Sequence, residues 1–398
     1  MKSNKTVIMA EFSDVRYDAR VLKEAKYLAN KDFLVILYMY NTNLDRNIIY
    51  RRGNIIYHVY SLLNRRRNDS IIGVLKKYVE ALFFLIRVNI RILMSRADYY
   101  HAHNLKFLLV SFISSIIHNG KLIYDAHELH SEHYDNNKLV NRMRNSVNML
   151  LERLILLKCH AFIQASDERA VYIAKKYKIT KPIVLNNYVP IFELDKEKKY
   201  NLRTILMIRN NYPILFYSGG IYKERFVAFE KILETLVHIK KINLVIVGFM
   251  NNDIRNRFED QKIKYGLINR LFLLGPVPNE HIVKLASSAD IGLIPLTGES
   301  INTRLSALNK ISEYLMSGLP LLCSNYDNLI KIVNGNPVGK VGDVFDINNS
   351  NSIRKSIKNM INNDYYKTLN PNALLLAHKY YNWNNEVKKM DLIYATND

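Results

Sequence analysis

From residue 6 onward the chain alternates short apolar runs with longer stretches in which apolar residues recur every three or four positions. Short strands alternating with amphipathic helices are the signature of an α/β protein with parallel sheets. In the first half the predicted strands are Thr6 to Ala10, Phe33 to Tyr40, Ile55 to Tyr60, Tyr99 to His101, Lys121 to Tyr124, Ala161 to Gln164 and Pro182 to Leu185. Asp18 to Asn30 spaces Val21, Leu22, Ala25 and Leu28 along one helical face, suited to covering a sheet. The rhythm breaks at Asn187 to Tyr212, a polar stretch with Pro190 and a charge run from Asp195 to Lys199, which reads as a linker. A second series follows: Ile214 to Ser218, Leu244 to Val247, Leu271 to Leu274, Ile291 to Pro295 and Leu321 to Cys323. Two Rossmann-like halves in tandem are therefore expected. The domains fall at 1–190 and 191–375, with a helical tail, 376–398, packing back on the first.

At 398 residues the chain exceeds the size at which single cores stop growing, and 48% hydrophobic residues supply two. The formal net charge of +21 calls for an acidic partner: nucleic acid, an anionic membrane or a phosphorylated substrate. No RNP, KH or helix-turn-helix pattern appears, which sets nucleic acid aside. Cys159 and Cys323 lie far apart, so no disulfide framework or metal knuckle is implied, and a reducing cytoplasm fits. The opening MKSNKTVIMAEF reads as a first strand rather than a leader. Ile71 to Met94 is the most membrane-like segment, but Lys76, Lys77, Glu80, Arg87 and Arg91 interrupt it, so it is not expected to span a bilayer. With Arg65, Arg66 and Arg67 it forms either a cationic amphipathic surface for anionic lipid or the solvated face of a core helix. The expected location is the cytoplasm, with or without peripheral contact to the inner face of the plasma membrane.

In open α/β sheets, ligands bind beyond the carboxyl ends of the strands, so chemistry belongs to the turns that follow them. In NKISEYLMSGLPLLCS, Asn309 starts a helix and Gly318 and Pro320 end it. Lys310 and Glu313 share a face near its N-terminus, Lys310 suited to phosphate and Glu313 to hydroxyls. The same spacing also describes a surface helix with an ordinary ion pair. Ser218, Gly219 and Gly220 follow a strand, and Lys223 and Arg225 come next: glycines for close backbone approach, then two cations for phosphate. After Tyr124 comes DAHELHSEHYD. It is not HExxH, so a metal is not expected, and His127 alone is taken as a substrate-facing group. His130 and His133 are expected to be ordinary loop residues. His101 and His103 end the neighbouring strand and face the same region.

Taken together, these segments resemble the retaining glycosyltransferases of GT-B fold, family 4, especially bacterial enzymes that build surface polysaccharides. LFYSGGIYKERF, ADIGLIPL and NKISEYLMSGLPLLCSN carry the resemblance in the second half; YDARVLKEAKYLA, YYHAHN, LIYDAHEL and VLNNYVP carry it in the first. The fold implied is GT-B, two Rossmann-like domains facing across a cleft. The resemblance implies that Arg225 and Lys310, with Lys223 as a further cation, bind the diphosphate of a nucleotide sugar. Glu313 holds the ribose, His127 contacts the transferring sugar, and Ser218, Gly219, Gly220, Asn309, Ile311, His103 and Arg20 line the donor site. It also implies a glycan or lipid-linked acceptor. Two departures stand out. Many relatives carry a second glutamate eight residues before Glu313, where this chain has Leu305, and their glycine-rich first loop is replaced by Phe12 to Arg20.

The residue types suit that chemistry. Transfer builds negative charge on the departing diphosphate, which cations stabilise. The chain lacks an Asp-x-Asp metal motif in its candidate loops, so no metal cofactor is expected, and no nucleophilic carboxylate stands out for a double displacement. A sugar-nucleotide epimerase or phosphorylase on the same fold is the alternative.

Overall fold

A computed structural model of the chain describes residues 5–16, 18–62, 71–132, 139–191, 200–298, 301–305 and 309–394. The chain divides into two compact units, Met1–Asn186 with Val387–Asp398, and Asn187–Glu386. Arg65 to Arg67, His133 and the charge run from Asp195 lie outside the described residues.

The first unit runs β1 (Thr6–Asp14), α1 (Ala19–Asn30), β2 (Leu34–Asn41), β3 (Ile48–Arg52), β4 (Ile55–Ser61), α2 (Ile71–Met94), β5 (Tyr99–Ala102), α3 (Leu105–Ile117), β6 (Lys121–Ala126), α4 (Leu139–Leu156), β7 (Ala161–Gln164), α5 (Asp167–Tyr177) and β8 (Ile183–Val184). Its eight strands lie in the order β3-β4-β2-β1-β5-β6-β7-β8, and each neighbouring pair is parallel except β3 with β4. Val7, Ile8, Met9 and Ala10 in β1 are sealed on both faces, as a parallel sheet covered by helices requires. Asp18 caps α1 by accepting from the Val21 N–H at 3.2 Å, and α1 buries Val21, Ala25 and Leu28 on the predicted face. The expectation of a purely parallel sheet is corrected by β3, which turns back onto β4 through Gly53 at φ +56°. This edge strand ends in Arg51 and Arg52, both exposed, which discourages further pairing and also hides the strand from an apolar-run search.

The second unit runs α6 (Leu202–Ile205), β9 (Ile214–Ser218), α7 (Lys223–Leu236), β10 (Asn243–Val247), α8 (Asn252–Lys264), β11 (Leu271–Leu274), α9 (Asn279–Ala286), β12 (Ile291–Ile294), α10 (Ile301–Arg304), α11 (Asn309–Met316), β13 (Leu321–Ser324), α12 (Asp327–Asn334), β14 (Gly342–Phe345), α13 (Ser350–Ile361), α14 (Tyr365–Lys379) and α15 (Trp383–Glu386). Its sheet is parallel throughout, in the order β11-β10-β9-β12-β13-β14. β9 is central, and the strand order reverses around it, so its carboxyl end is the switch point where such sheets bind ligands. The last helix, α16 (Lys389–Ile393), rejoins the first unit: Lys389 Nζ donates to the Val184 carbonyl at 2.9 Å, and the Ile393 carbonyl meets His160 Nε2 at 3.0 Å.

Candidate functional site

In the second unit the site is built on the end of β9. Gly219 takes φ +132°, and its N–H donates to the Val247 carbonyl at 2.8 Å. Gly248 backs this turn so closely that a Cβ there would lie 2.2 Å from the Gly219 carbonyl oxygen. No side chain fits at Gly248, while Gly219 is required by its positive φ. After the turn α7 begins with Lys223, exposed, while Arg225 reaches back. Arg225 Nη1 donates to the Gly220 carbonyl at 2.9 Å and to the Tyr217 hydroxyl at 3.3 Å.

Helix α11 brings the second half of the site. Its C-terminus closes on Gly318 at φ +76°, where the Leu319 N–H donates to the Tyr314 carbonyl at 2.8 Å, the left-handed stop foreseen from the sequence. Tyr314, fully buried, accepts from the Ser218 N–H at 2.8 Å, and its ring fills the space that Gly292 leaves; a Cβ on Gly292 would lie 2.3 Å from it. Burial pushes the Tyr314 phenol well above its usual range, so it stays a neutral hydroxyl. Glu313 Oε2 accepts from Ser218 Oγ at 3.3 Å. Lys310 lies with its ammonium 5.2 Å over the Tyr217 ring and 2.7 Å from where a Cβ on Gly219 would stand. Tyr217 therefore carries Arg225 on its hydroxyl and Lys310 on its face, and it brackets two cations beside a glycine turn.

Of the residues expected here, Gly219, Gly220, Arg225, Lys310 and Glu313 converge, with Lys223 and Asn309 exposed at the starts of α7 and α11. Two expectations are corrected. The side chains of Ser218 and Ile311 are 3% and 6% exposed, so they frame the site rather than reach a ligand. Ser218 Oγ is held by Glu313 and Tyr314, and Ile311 joins the core that seats α11. Leu305, in the place of the missing glutamate, follows α10, and its N–H donates to the Ile301 carbonyl at 3.0 Å. Tyr217 and Tyr314 were not foreseen. The only hint was their position, two residues before Gly219 and one after Glu313.

In the first unit the ends of β1, β5 and β6 gather a sealed polar cluster. Arg20 forms a two-pronged pair with Asp125, Nε to Oδ2 at 2.8 Å and Nη2 to Oδ1 at 2.7 Å, and donates to the Leu185 carbonyl at 2.6 Å. Glu24 Oε1 lies 3.1 Å from Arg20 Nε. His103 Nδ1 is 3.4 Å from Asp125 Oδ2 and stacks on His101 with centroids 4.0 Å apart, while Tyr394 from the C-terminal segment meets His101 Nδ1 at 2.7 Å. His127 Nε2 is 3.2 Å from Asp125 Oδ2, and its side chain is 24% exposed. The Arg169 guanidinium donates to its carbonyl at 2.6 Å. Arg20 and His103, expected to meet a ligand, are 4% and 0% exposed, and the side chains of both lie against Asp125. His130, expected in a loop, opens a 3-10 turn, His130–Glu132, and its carbonyl accepts from Asn148.

Burial raises the Asp125 carboxyl, but Arg20 and His127 outweigh it and hold the group well below its ordinary value. For His127 burial opposes the charge, yet Asp125 prevails and lifts the imidazole to about 9. Burial, with Asp125 nearby, lifts Glu24 to about 8, and burial alone dominates at Glu11, also about 8. His101 and His103 are pushed down by burial and stay neutral. Glu24, His101, His103 and Asp125 each offer a ligand atom within 4.8 Å of one another, as a metal site would. The Arg20 guanidinium already supplies the positive charge, taking both Asp125 oxygens and one of Glu24. A pH dependence follows. Folded values of about 8, 8 and 9 exceed the ordinary 4.5, 4.5 and 6.5, so above pH 7 the native state holds protons that the unfolded chain has released. The stability these groups contribute is lost as pH rises through 8 and 9. The unfolding temperature is expected to fall between pH 7 and 9, and a flat calorimetric profile over that window would refute the protonation states assigned here.

Residues 199–374 match the model of the family described as Glycosyl transferases group 1. No curated protein matches the chain. Among solved structures, a glycosyltransferase from Rickettsia africae aligns at TM-score 0.71 and 16% identity over 99% of this chain and 100% of that one. Anabaena Alr3699/HepE in complex with UDP and glucose aligns at 0.69 and 16% over 98% and 99%. WaaG, a glycosyltransferase involved in lipopolysaccharide biosynthesis, aligns at 0.63 and 13% over 98% and 100%. The two Rossmann-like units thus have the GT-B fold, and the match to the Glycosyl transferases group 1 model falls within the second.

Proposed function

We propose that the protein transfers a sugar from a nucleotide-sugar donor to a glycan or lipid-linked acceptor, with retention of configuration and without a metal, in surface-polysaccharide assembly. One observation carries this reading: Arg225 and Lys310 are both set against Tyr217, beside a glycine turn at the switch point of the second sheet. Two preorganised cations at that point match a diphosphate, whose developing charge they stabilise during departure. Glu313, fixed by Ser218, is the acceptor for ribose hydroxyls. In the first unit His127 is protonated at neutral pH and partly exposed, and so able to hydrogen-bond a sugar oxygen. Retention without a covalent intermediate is supported by the carboxylates around His127. Asp125 is tied to Arg20, and Glu11 and Glu24 are buried, so none of these three is presented as a nucleophile. The UDP and glucose held by the Anabaena protein and the lipopolysaccharide role printed for WaaG favour the donor class and the pathway.

The test is a thermal-shift screen of nucleoside diphosphates and nucleotide sugars, followed by product analysis with candidate acceptors and a chelator. A cognate donor at about a hundred times its Kd stabilises by roughly 2.7 kcal/mol. Stabilisation by no nucleotide sugar would remove the donor site. Turnover independent of acceptor would favour the epimerase, and loss of transfer in the chelator would show a metal requirement.

A further inference from the structure

Helix α2 has two apolar faces. Phe84, Val88 and Ile92 are 0–2% exposed, whereas Leu75, Val79, Leu82, Ile86, Ile90 and Leu93, on the other side of the same helix at spacings of three and four, are 39–64% exposed. A helix that only covers a sheet needs one such face. Helix α4 repeats the arrangement: Ile155 and Leu156 are buried, while Leu139, Met143, Val147, Leu150 and Leu154 form an outward ridge 57–70% exposed. Helix α3 packs against both and adds Leu109, Ile113 and Ile116 to the outside. Among the described residues these three helices carry 19 of the 32 large apolar side chains left exposed, so the apolar surface is concentrated and not scattered.

The ridges are bordered by cations. By helical position Lys76 and Arg87 flank the α2 ridge, and Arg142, Arg144 and Arg153 flank that of α4, all exposed. The three helices hold eight Lys and Arg residues against two Glu, and one of these, Glu152, is buried and bonded to Tyr124 and Tyr177 at 2.6 and 2.5 Å. A second copy of the same face would bring like charges together. Among the described residues no helix is long and apolar enough to cross a membrane. Apolar ridges with basic margins, lying in plane and not spanning, fit the boundary between acyl chains and anionic headgroups.

We infer that the first unit docks on an anionic lipid surface through α2, α3 and α4, the α4 ridge contributing as much as α2. This deepens the lipid-linked acceptor of the proposed function and rests on that reading, but its test does not use transfer. The full chain is sedimented with vesicles of phosphatidylcholine alone and mixed with phosphatidylglycerol, at low and high salt. The mixed vesicles are expected to bind it at low salt and the neutral ones at least tenfold more weakly, with binding lost as salt screens the charges. Met143→Glu with Leu150→Glu, both exposed sites on α4, should lower partition at least tenfold and leave the thermal shift by a nucleotide sugar unchanged. No binding to anionic vesicles at low salt, or unaltered binding by that variant, overturns the inference. So does self-association that the variant abolishes while vesicles are ignored, since the face would then join two copies of the chain. A nucleotide-sugar shift without vesicle binding defeats this inference alone; vesicle binding without the shift defeats the proposed function alone.

Discussion

Replacing Lys310 by alanine is expected to lower transfer by about 10²–10³-fold, the cost of removing one preorganised charge-stabilising group. The fold should survive. The ammonium packs over the face of Tyr217, and among the described residues no hydrogen bond to its Nζ frames the turn, so its contribution falls on the leaving diphosphate and not on α11, which Tyr314 anchors. Gly219→Ala should act on the same atom from the opposite side. Its Cβ would come within 2.7 Å of Lys310 Nζ, at a backbone φ of +132° that side chains rarely adopt. The lysine must swing away, and transfer should fall together with about 1–3 kcal/mol of stability from backbone strain. Initial rates with the cognate donor check both. Wild-type turnover by either variant would show that the ammonium is not at the reacting phosphate.

Asp125→Ala should cost about 3–5 kcal/mol, because it leaves the sealed Arg20 guanidinium without its two-pronged partner. For a unit of this size the unfolding temperature should drop by on the order of 10 °C. The loss also has a local signature. Without Asp125 the largest influence opposing burial at His127 is gone, and the imidazole should titrate well below about 9, which histidine-selective NMR reads directly. An unchanged unfolding midpoint would mean that Glu24 takes over the pairing with Arg20, 3.1 Å away, and that the cluster is redundant.

Much of the fold was legible because buried parallel strands read as unbroken apolar runs: ILFYS, LVIV, LFLL and LLCS sit in the second sheet where the sequence put them. Edge strands β3 and β14 escaped because an edge tolerates charge, as in the Arg51–Arg52 end of β3 and in Asp343, which breaks the apolar run of β14. The glycine turn and the pair Lys310 and Glu313 were legible because their chemistry follows from residue type and spacing. Tyr217 and Tyr314 were not, since an aromatic in a strand or on the inner side of a helix looks like core. Arg20 was visible as a charge, but its fate was not: the partner that consumes it lies 105 residues away in Asp125.

By itself the sequence determined periods, and so which elements form, which turns carry cations and glycines, and that the whole is basic. Periodicity names the faces of a helix without saying which face is covered. The ridge of α4 has the spacing of a core stripe, yet in the folded unit it is Ile155 and Leu156 that pack inward while Leu150 and Leu154 remain exposed. The tertiary structure decided which apolar face is buried and which charge is paired, because both depend on neighbours brought in from distant parts of the chain.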